Sequence, residues 1–181
     1  MFIQTEPTPN PNTLKFLPGR DVMGNVTASF GSFEESKRSP LAHRLFNLGG
    51  VEAVFLGSDF ISVTKSESVD WPVLKPALLG AIMDHYTSGE ALVAEESAAA
   101  DTGEDSEIVK QIKELLDTRV RPAVANDGGD IVFHSFENGV VYLHMRGACS
   151  GCPSSTATLK HGIENMMRYY IPEIQSVEAV Y

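Results

Sequence analysis

A segment without large apolar side chains divides this sequence into two parts. It reads AEESAAADTGEDS over residues 94–106 and contains five acidic residues and no basic one. Small and charged residues bury too little surface to offset the entropy lost on ordering. A length of 181 residues allows one or two domains. We therefore predict two domains, residues 1–93 and 107–181, joined by a flexible acidic linker at 94–106.

The first part has the pattern of a small α+β domain. Its opening, FIQTEPTPNPNTLKFLPG, has β-prone residues on both sides of a Pro/Asn-rich stretch and predicts two strands joined by a turn. Ser-Pro at 39–40 predicts the start of a short helix that ends at Gly-Gly 49–50. Two strands are predicted around residues 57–59, and a second helix from residue 70. The helix residues expected to face the core are Leu41, Leu45, Leu48, Val73, Ala77, Leu78, Ala81 and Ile82.

The second part predicts the order α-β-β-α-β. Its first helix is expected to end near residues 121–122, because a proline disfavours helix at the preceding residue. The alternating segments DIVFHSF and VVYLHMRG predict two strands, and Asn-Gly at 138–139 predicts a hairpin between them. A second helix and a final strand, SVEAVY, follow. The helix residues expected to face the core are Ile108, Ile112, Leu115, Leu116, Leu159, Ile163, Met166, Met167 and Tyr170. The fold class is therefore α+β in both domains, with a small sheet and helices on one face in the second.

The chain contains two cysteines, Cys149 and Cys152, in the stretch RGACSGCPSST. They lie between a predicted strand end and a predicted helix start, where Gly151 permits a tight backbone path. Pro153 suits the first helical position, and the positive end of the helix stabilises thiolate. This arrangement suits metal ligation or thiol-disulfide exchange.

Three kinds of chemistry remain open at this CxxC. A thioredoxin-like dithiol is disfavoured, because an antiparallel hairpin precedes the motif in place of a βαβ unit. Two thiolates supply half of a four-sulfur zinc or iron-sulfur site, and a two-fold dimer would supply the other half. His144 and His161 could instead join the cysteines in a mixed zinc site within one chain. A pair of small buried cysteines is the structural alternative.

Most of the chain outside the linker resembles one family. The stretches LLDTRVRPAVANDGGDIVF, RGACSGCPSSTATLKHGIENMM and YYIPEIQSVEAV are similar to the NifU-like C-terminal domain. The stretches TPNPNTLKFLPG, SPLAHRLFNLGGVEAVFLGSDFISVTK and WPVLKPALLGAIMDHYTSGEALV are similar to the Nfu N-terminal domain. Their order is that of the bacterial and mitochondrial Nfu iron-sulfur scaffolds.

This resemblance implies a specific function. It implies a homodimer that holds a 4Fe-4S cluster through Cys149 and Cys152 of each protomer, receives it from a donor and transfers it to recipient apoproteins. A zinc-binding interaction module and a CxxC dithiol oxidoreductase are the alternatives. No catalytic residue is predicted, since Asp127 and Asp130 flank a Gly-Gly turn that accounts for them. The expected protein is not an enzyme.

Charge and hydropathy exclude several partners. The formal net charge of −10 repels nucleic acid, and no basic patch with interleaved aromatic residues is visible. The apolar runs are far shorter than the ~20 residues of a membrane-spanning helix, and the first twelve residues lack the features of a signal peptide. The sequence thus predicts a cytoplasmic protein without a nucleic-acid or membrane partner.

Overall fold

The computed structural model describes residues 2–24, 26–93, 106–149 and 153–180. The chain divides into two compact units, Met1–Ala99 and Ala100–Tyr181, each with helices and strands. The predicted α+β class is confirmed. Residues 94–105 lie outside the described residues, so the linker and its boundaries stay a prediction.

The first unit is built on a five-stranded antiparallel sheet in the order β1-β2-β5-β4-β3. Its elements are β1 (Gln4–Pro7), β2 (Thr13–Leu17), β3 (Ala28–Phe30), α1 (Phe33–Ser36), α2 (Pro40–Phe46), β4 (Val51–Leu56), β5 (Ile61–Lys65) and α3 (Trp71–Ser88). The predicted strands and both predicted helices are confirmed. The sequence missed β3 and α1, which have three and four residues and are too short to show a periodic pattern.

Two parts of the predicted core of the first unit are wrong. Leu48 follows the end of α2 and is exposed, because the helix stops at Phe46. On α3 the predicted core residues Leu78, Ala81 and Ile82 are confirmed, whereas Val73 and Ala77 are exposed. The residues that α3 buries are Leu74, Leu78, Ala81, Ile82 and His85.

The second unit is built on a three-stranded sheet in the order β6-β7-β8. Its elements are α4 (Glu107–Leu115), a π-helical turn (Leu116–Val120), α5 (Arg121–Asn126), β6 (Gly129–Glu137), β7 (Val140–Gly147), α6 (Pro153–Tyr170) and β8 (Ser176–Val180). Strands β6 and β7 are antiparallel, and β8 runs parallel to β7 because α6 connects them. Asn138 and Gly139 both have positive φ, at 51° and 79°, as expected for the predicted hairpin turn.

The prediction that the first helix ends near Arg121-Pro122 is wrong, because helical structure continues to Asn126. The backbone N–H of Arg121 donates to the carbonyl of Leu116, five residues back, at the end of the π-helical turn. A new α-helix then begins at Arg121, and Pro122 lies in its first turn, where no N–H is needed.

One face of the second sheet forms the core of its unit. Alternate residues of β7, namely Val141, Leu143 and Met145, are buried there. The helices contribute Ile112, Leu116, Val124, Ile163 and Met167 to the same cluster. Tyr170, which the sequence placed in this core, is exposed at the end of α6. No helix within the described residues is long and apolar enough to cross a membrane.

Candidate functional site

The first cysteine of the CxxC lies in the loop between β7 and α6, as predicted. Cys149 follows the last residue of β7 by two positions, and α6 begins at Pro153. The Cys149 residue is 6% exposed and belongs to the apolar cluster of the second unit. Cys152 lies outside the described residues, so its part in the site stays a prediction.

A pair of glycines lies directly beneath this loop. The backbone N–H of Ala148 donates to the carbonyl of Gly128, whose φ of 78° favours glycine. A methyl group added at Gly129 would overlap Cys149 Sγ and would lie 2.9 Å from the backbone nitrogen of Cys149. Gly129 therefore lets the loop and its sulfur approach the start of β6 at a distance that a side chain would prevent.

An ion pair fixes the strand start on which Cys149 rests. Arg121 donates to Asp130 through two bonds, Nε to Oδ1 at 2.8 Å and a terminal nitrogen to Oδ2 at 3.1 Å. Asp130 is buried, and its Oδ1 also accepts from the N–H of Ile131 at 2.9 Å. Arg121 reaches Asp117 as well, at 3.0 Å. Because a bidentate pair of this kind is strong and directional, it holds the start of α5 against the start of strand β6.

The ion pair also accounts for the charge state of Arg121. The hydrogen bonds that Arg121 donates to Asp130 hold the pKa of the guanidinium above its usual value, against the opposing effect of burial. Arg121 therefore stays charged, and the carboxylates of Asp130 and Asp117 balance this charge next to the backbone that supports the cysteine loop. Asp130 is thus a carboxylate held in a structural ion pair, and the absence of a catalytic role for residues 127 and 130 stays a prediction.

The two histidines considered for a mixed zinc site lie on different sides of the second sheet. His144 alternates with the buried residues of β7 and therefore points away from the core face. His161 is exposed on α6, which packs against the core face. Burial, followed by the charges of Arg146 and His134, lowers the pKa of His144. Across residues 2–24, 26–93, 106–149 and 153–180, no three His, Cys, Asp or Glu side chains are grouped to hold a metal. This separation counts against a zinc site that uses both histidines of one chain.

The sequence located Cys149 but missed the groups that position it. Gly129 was read as part of a turn, whereas its role is the close approach of Cys149. Arg121 was read as a helix end, although it lies opposite Asp130 nine residues later. The only local signal was the unusual run NDGGD, in which two glycines precede an acid at the start of a strand.

Comparison with known families covers both units. Residues 3–89 match the family model described as "Scaffold protein Nfu/NifU N terminal". Residues 112–178 match the model described as "NifU-like domain".

Curated relatives match nearly the whole chain. The human "NFU1 iron-sulfur cluster scaffold homolog, mitochondrial" is 52% identical over 183 residues, which are 99% of this chain and 72% of that protein. The protein of the same name from Drosophila persimilis is 55% identical over 100% of this chain and 66% of its own length. "NifU-like protein 4, mitochondrial" from Arabidopsis thaliana is 52% identical over 98% of this chain and 65% of its own length. The chain thus spans about two thirds of the length of these relatives.

These relatives contradict one sequence prediction. The chain was expected to be cytoplasmic, whereas the human, Drosophila and Arabidopsis proteins are all named as mitochondrial. The prediction was wrong because amino-acid composition and the features of a secretory signal peptide do not distinguish the cytosol from the mitochondrion.

Proposed function

Because the chain belongs to the Nfu family of iron-sulfur cluster scaffold proteins, we propose that it carries a 4Fe-4S cluster between two protomers and transfers it to recipient apoproteins. Cys149 and Cys152 of each protomer are the proposed ligands. The cluster is the cargo: a donor protein supplies it, and a recipient apoprotein takes it up. The protein is a carrier and not an enzyme.

The observation that carries the proposal is the size of the ligand set. The chain has two cysteines, and a 4Fe-4S cluster is commonly held by four thiolates. A second copy of the same loop, related by a two-fold axis, would complete the set with identical geometry. Binding of the cluster is therefore expected to bring two chains together as a dimer.

The surroundings of Cys149 support a ligand whose position is fixed in advance. The glycine pair beneath the loop and the Arg121–Asp130 ion pair limit how far Cys149 can move. A rigid half-site binds well when the partner half is present, since less conformational entropy is lost on binding. It also releases the cluster when the two protomers separate.

Anaerobic reconstitution tests this function. The full chain, incubated with ferrous iron, sulfide and thiol, is expected to become brown and to contain about four irons and four sulfides per two chains. Cys149→Ser and Cys152→Ser are expected to remain colourless and monomeric. A colourless protein with tightly bound zinc would identify a zinc module, and metal-free disulfide reductase turnover would identify an oxidoreductase. Either result would overturn the proposal.

We further propose that the two units divide the work. The first unit contains no cysteine, so it lacks the soft ligands that a cluster prefers. Its proposed role is to recognise donors or recipients, and a tether raises the local concentration of whatever it binds. Cutting the chain within residues 94–106 should leave a C-terminal fragment that still forms a dimeric cluster but transfers it more slowly. Equal transfer rates for the fragment and the full chain at several acceptor concentrations would show that the first unit does not have this role.

A further inference from the structure

The second unit has an open apolar groove that its own side chains do not fill. It lies between α6 and the stretch that leads from the π-helical turn into α5, and its volume is about 510 Å³. We call it the α5–α6 groove. Its lining residues are Arg119, Val120, Ala123, Val124, Thr158, Leu159, Gly162, Ile163 and Met166. Most of these side chains are apolar, so the groove offers surface that would gain free energy from being covered.

Both walls of the groove lead to the cysteine loop. One wall is α6, whose first residue, Pro153, directly follows the CxxC. The other wall ends in α5, which stops at Asn126, two residues before Gly128, and the carbonyl of Gly128 accepts from the N–H of Ala148. A molecule bound in the α5–α6 groove would therefore contact the two helices whose ends adjoin the loop that contains Cys149.

The backbone of α6 is not covered by a side chain at the middle of the groove. Gly162 is an exposed glycine in the interior of this helix, and a methyl group added there would have no neighbour within 4 Å. Glycine weakens a helix interior relative to alanine, so packing within the unit does not explain this residue. Gly80 of α3 has a similarly open position, so an open helical glycine has significance only together with the groove. At Gly162 another backbone can approach closely.

Arg119 gives the groove an available positive charge. The structure gives it no ion pair with any described residue, and its guanidinium lies 5.3 Å from the centre of the Tyr170 ring. The other residues that line the groove are uncharged. An occupant with a carboxylate at the Arg119 end would therefore be complementary in charge.

We propose that the α5–α6 groove binds an amphipathic helix of a partner protein, with aliphatic side chains on one face and an acidic residue that meets Arg119. A helix fits because its backbone groups are hydrogen-bonded to one another, and the apolar walls offer the backbone of an occupant no hydrogen-bond partners. An extended strand has no partner here, since the walls are helices without an unpaired sheet edge. Thr158 to Met166 extend over about 12 Å of α6 at 1.5 Å per residue, which suits two to three turns of a bound helix.

Docking in the α5–α6 groove does not depend on the proposed function. The further statement that the partner donates or receives the cluster rests on that function. The test therefore uses the full chain without iron or sulfide. The probe is a synthetic helical peptide of about four turns, with leucine along one face and one glutamate at its edge. Titration into ¹⁵N-labelled protein should shift amide signals of residues 119–124 and 158–166 and leave those of the first unit unchanged.

Matched variants separate docking from folding. Gly162→Leu should fill the groove and weaken peptide binding at least tenfold, while the melting temperature stays equal or rises. Gly80→Leu, which adds the same side chain at the open glycine of α3, should leave binding unchanged. Arg119→Glu should weaken binding of the glutamate peptide several-fold and strengthen binding of a peptide that has lysine at the same place.

Three results would overturn the proposal. The first is the absence of shifts at residues 119–124 and 158–166 at millimolar peptide. The second is equal loss of binding in Gly162→Leu and Gly80→Leu. The third is a shift of the same signals with protein concentration alone, which would identify a second copy of this chain as the occupant. Failure of cluster reconstitution with intact peptide binding would count against the proposed function only.

Discussion

The two longest helices of the molecule, α3 and α6, have the same length but different surroundings. Each has 18 residues and is the main helix of its unit. Helix α3 buries five residues against its sheet, and its end is closed by Gly89 in the left-handed conformation. On α6 the described side chains that are buried are those of Ile163 and Met167, and Leu159 and Met166 line an open groove. One helix completes a core, while the other, which begins directly after the cysteine loop, leaves apolar surface open.

The same contrast applies to the glycines of the two units. Gly80 on α3 has open space where a side chain would be, whereas Gly129 beneath the cysteine loop has none. A glycine in the first setting only weakens its helix, but a glycine in the second permits a specific contact. Substitutions at positions of these two kinds should therefore have different effects.

The largest effect is expected for Gly129→Ala. The added methyl overlaps Cys149 Sγ and lies 3.1 Å from the Arg146 carbonyl, so the loop must move. We expect the free energy of unfolding to fall by about 1–3 kcal/mol, as in other overpacked sites. Iron bound after reconstitution should fall at least by half. Urea unfolding and iron analysis measure the two effects.

Gly80→Ala is the control for that variant. It should raise the free energy of unfolding by about 0.5–1 kcal/mol, because alanine favours a helix interior. It should leave the iron content unchanged. Effects of the same sign for Gly129→Ala and Gly80→Ala would contradict the difference between the two glycines.

A loss of stability within the same range, but without a direct clash with Cys149, is expected for Asp130→Asn. Asparagine keeps the shape of the side chain but removes the charge that Arg121 contacts at 2.8 Å and 3.1 Å. Because Asp130 is 3% exposed and Arg121 remains charged, we expect a loss of about 2 kcal/mol in unfolding free energy. Chemical denaturation measures it.

Glu107→Gln provides the comparison on a surface pair. Glu107 contacts Lys110 at 3.4 Å, and both side chains are largely exposed. Removing this charge should change stability by no more than about 0.5 kcal/mol. If both substitutions had the same small effect, the Arg121–Asp130 pair would not support the cysteine loop as described.

The smallest effect concerns pH and the first unit. His85 is 1% exposed, and burial, followed by the charge of Arg44, lowers its pKa below the usual 6.5, while Glu90 partly opposes this. Between the two pKa values, His85 of the unfolded chain therefore binds a proton more readily than His85 of the folded chain. Stability should be fully present above the unfolded pKa and should decrease as pH falls through about 6.5 towards the lower folded pKa.

Thermal unfolding at about pH 7.5 and pH 5.5 measures this dependence. His85→Gln should make the melting temperature of the first unit less sensitive to this pH change. His161→Gln, at an exposed position of α6, should leave the sensitivity as it is in the unaltered chain. An unaltered pH dependence in His85→Gln would show that another group is responsible.

Local patterns were enough to predict most of the fold. Alternation predicted β6 and β7, and the Asn-Gly pair predicted their turn because both residues adopt positive φ there. The extension of helix through Pro122 could not be predicted, since a π-helical turn changes the hydrogen-bond register in front of it. Part of the buried face of α3 was misjudged because apolar residues lie on more than one side of it, and His85 was given no role.

The candidate site shows the same limit. The CxxC motif identified Cys149 because two cysteines at this spacing are a local pattern. The close contact of Cys149 with Gly129, and the pairing of Arg121 with Asp130, join residues that are separated by 20 and nine positions. Such contacts depend on how strands and helices meet, which a single sequence does not specify.

The central claim is that the cysteine loop is half of a site that two chains complete. Native mass spectrometry of the anaerobically reconstituted protein tests it most directly, because it weighs chains and cluster together. The account predicts one species with two chains and one 4Fe-4S cluster, and a single chain without cluster for Cys149→Ser. A cluster held by one chain, or a cluster-containing dimer of Cys149→Ser, would contradict it.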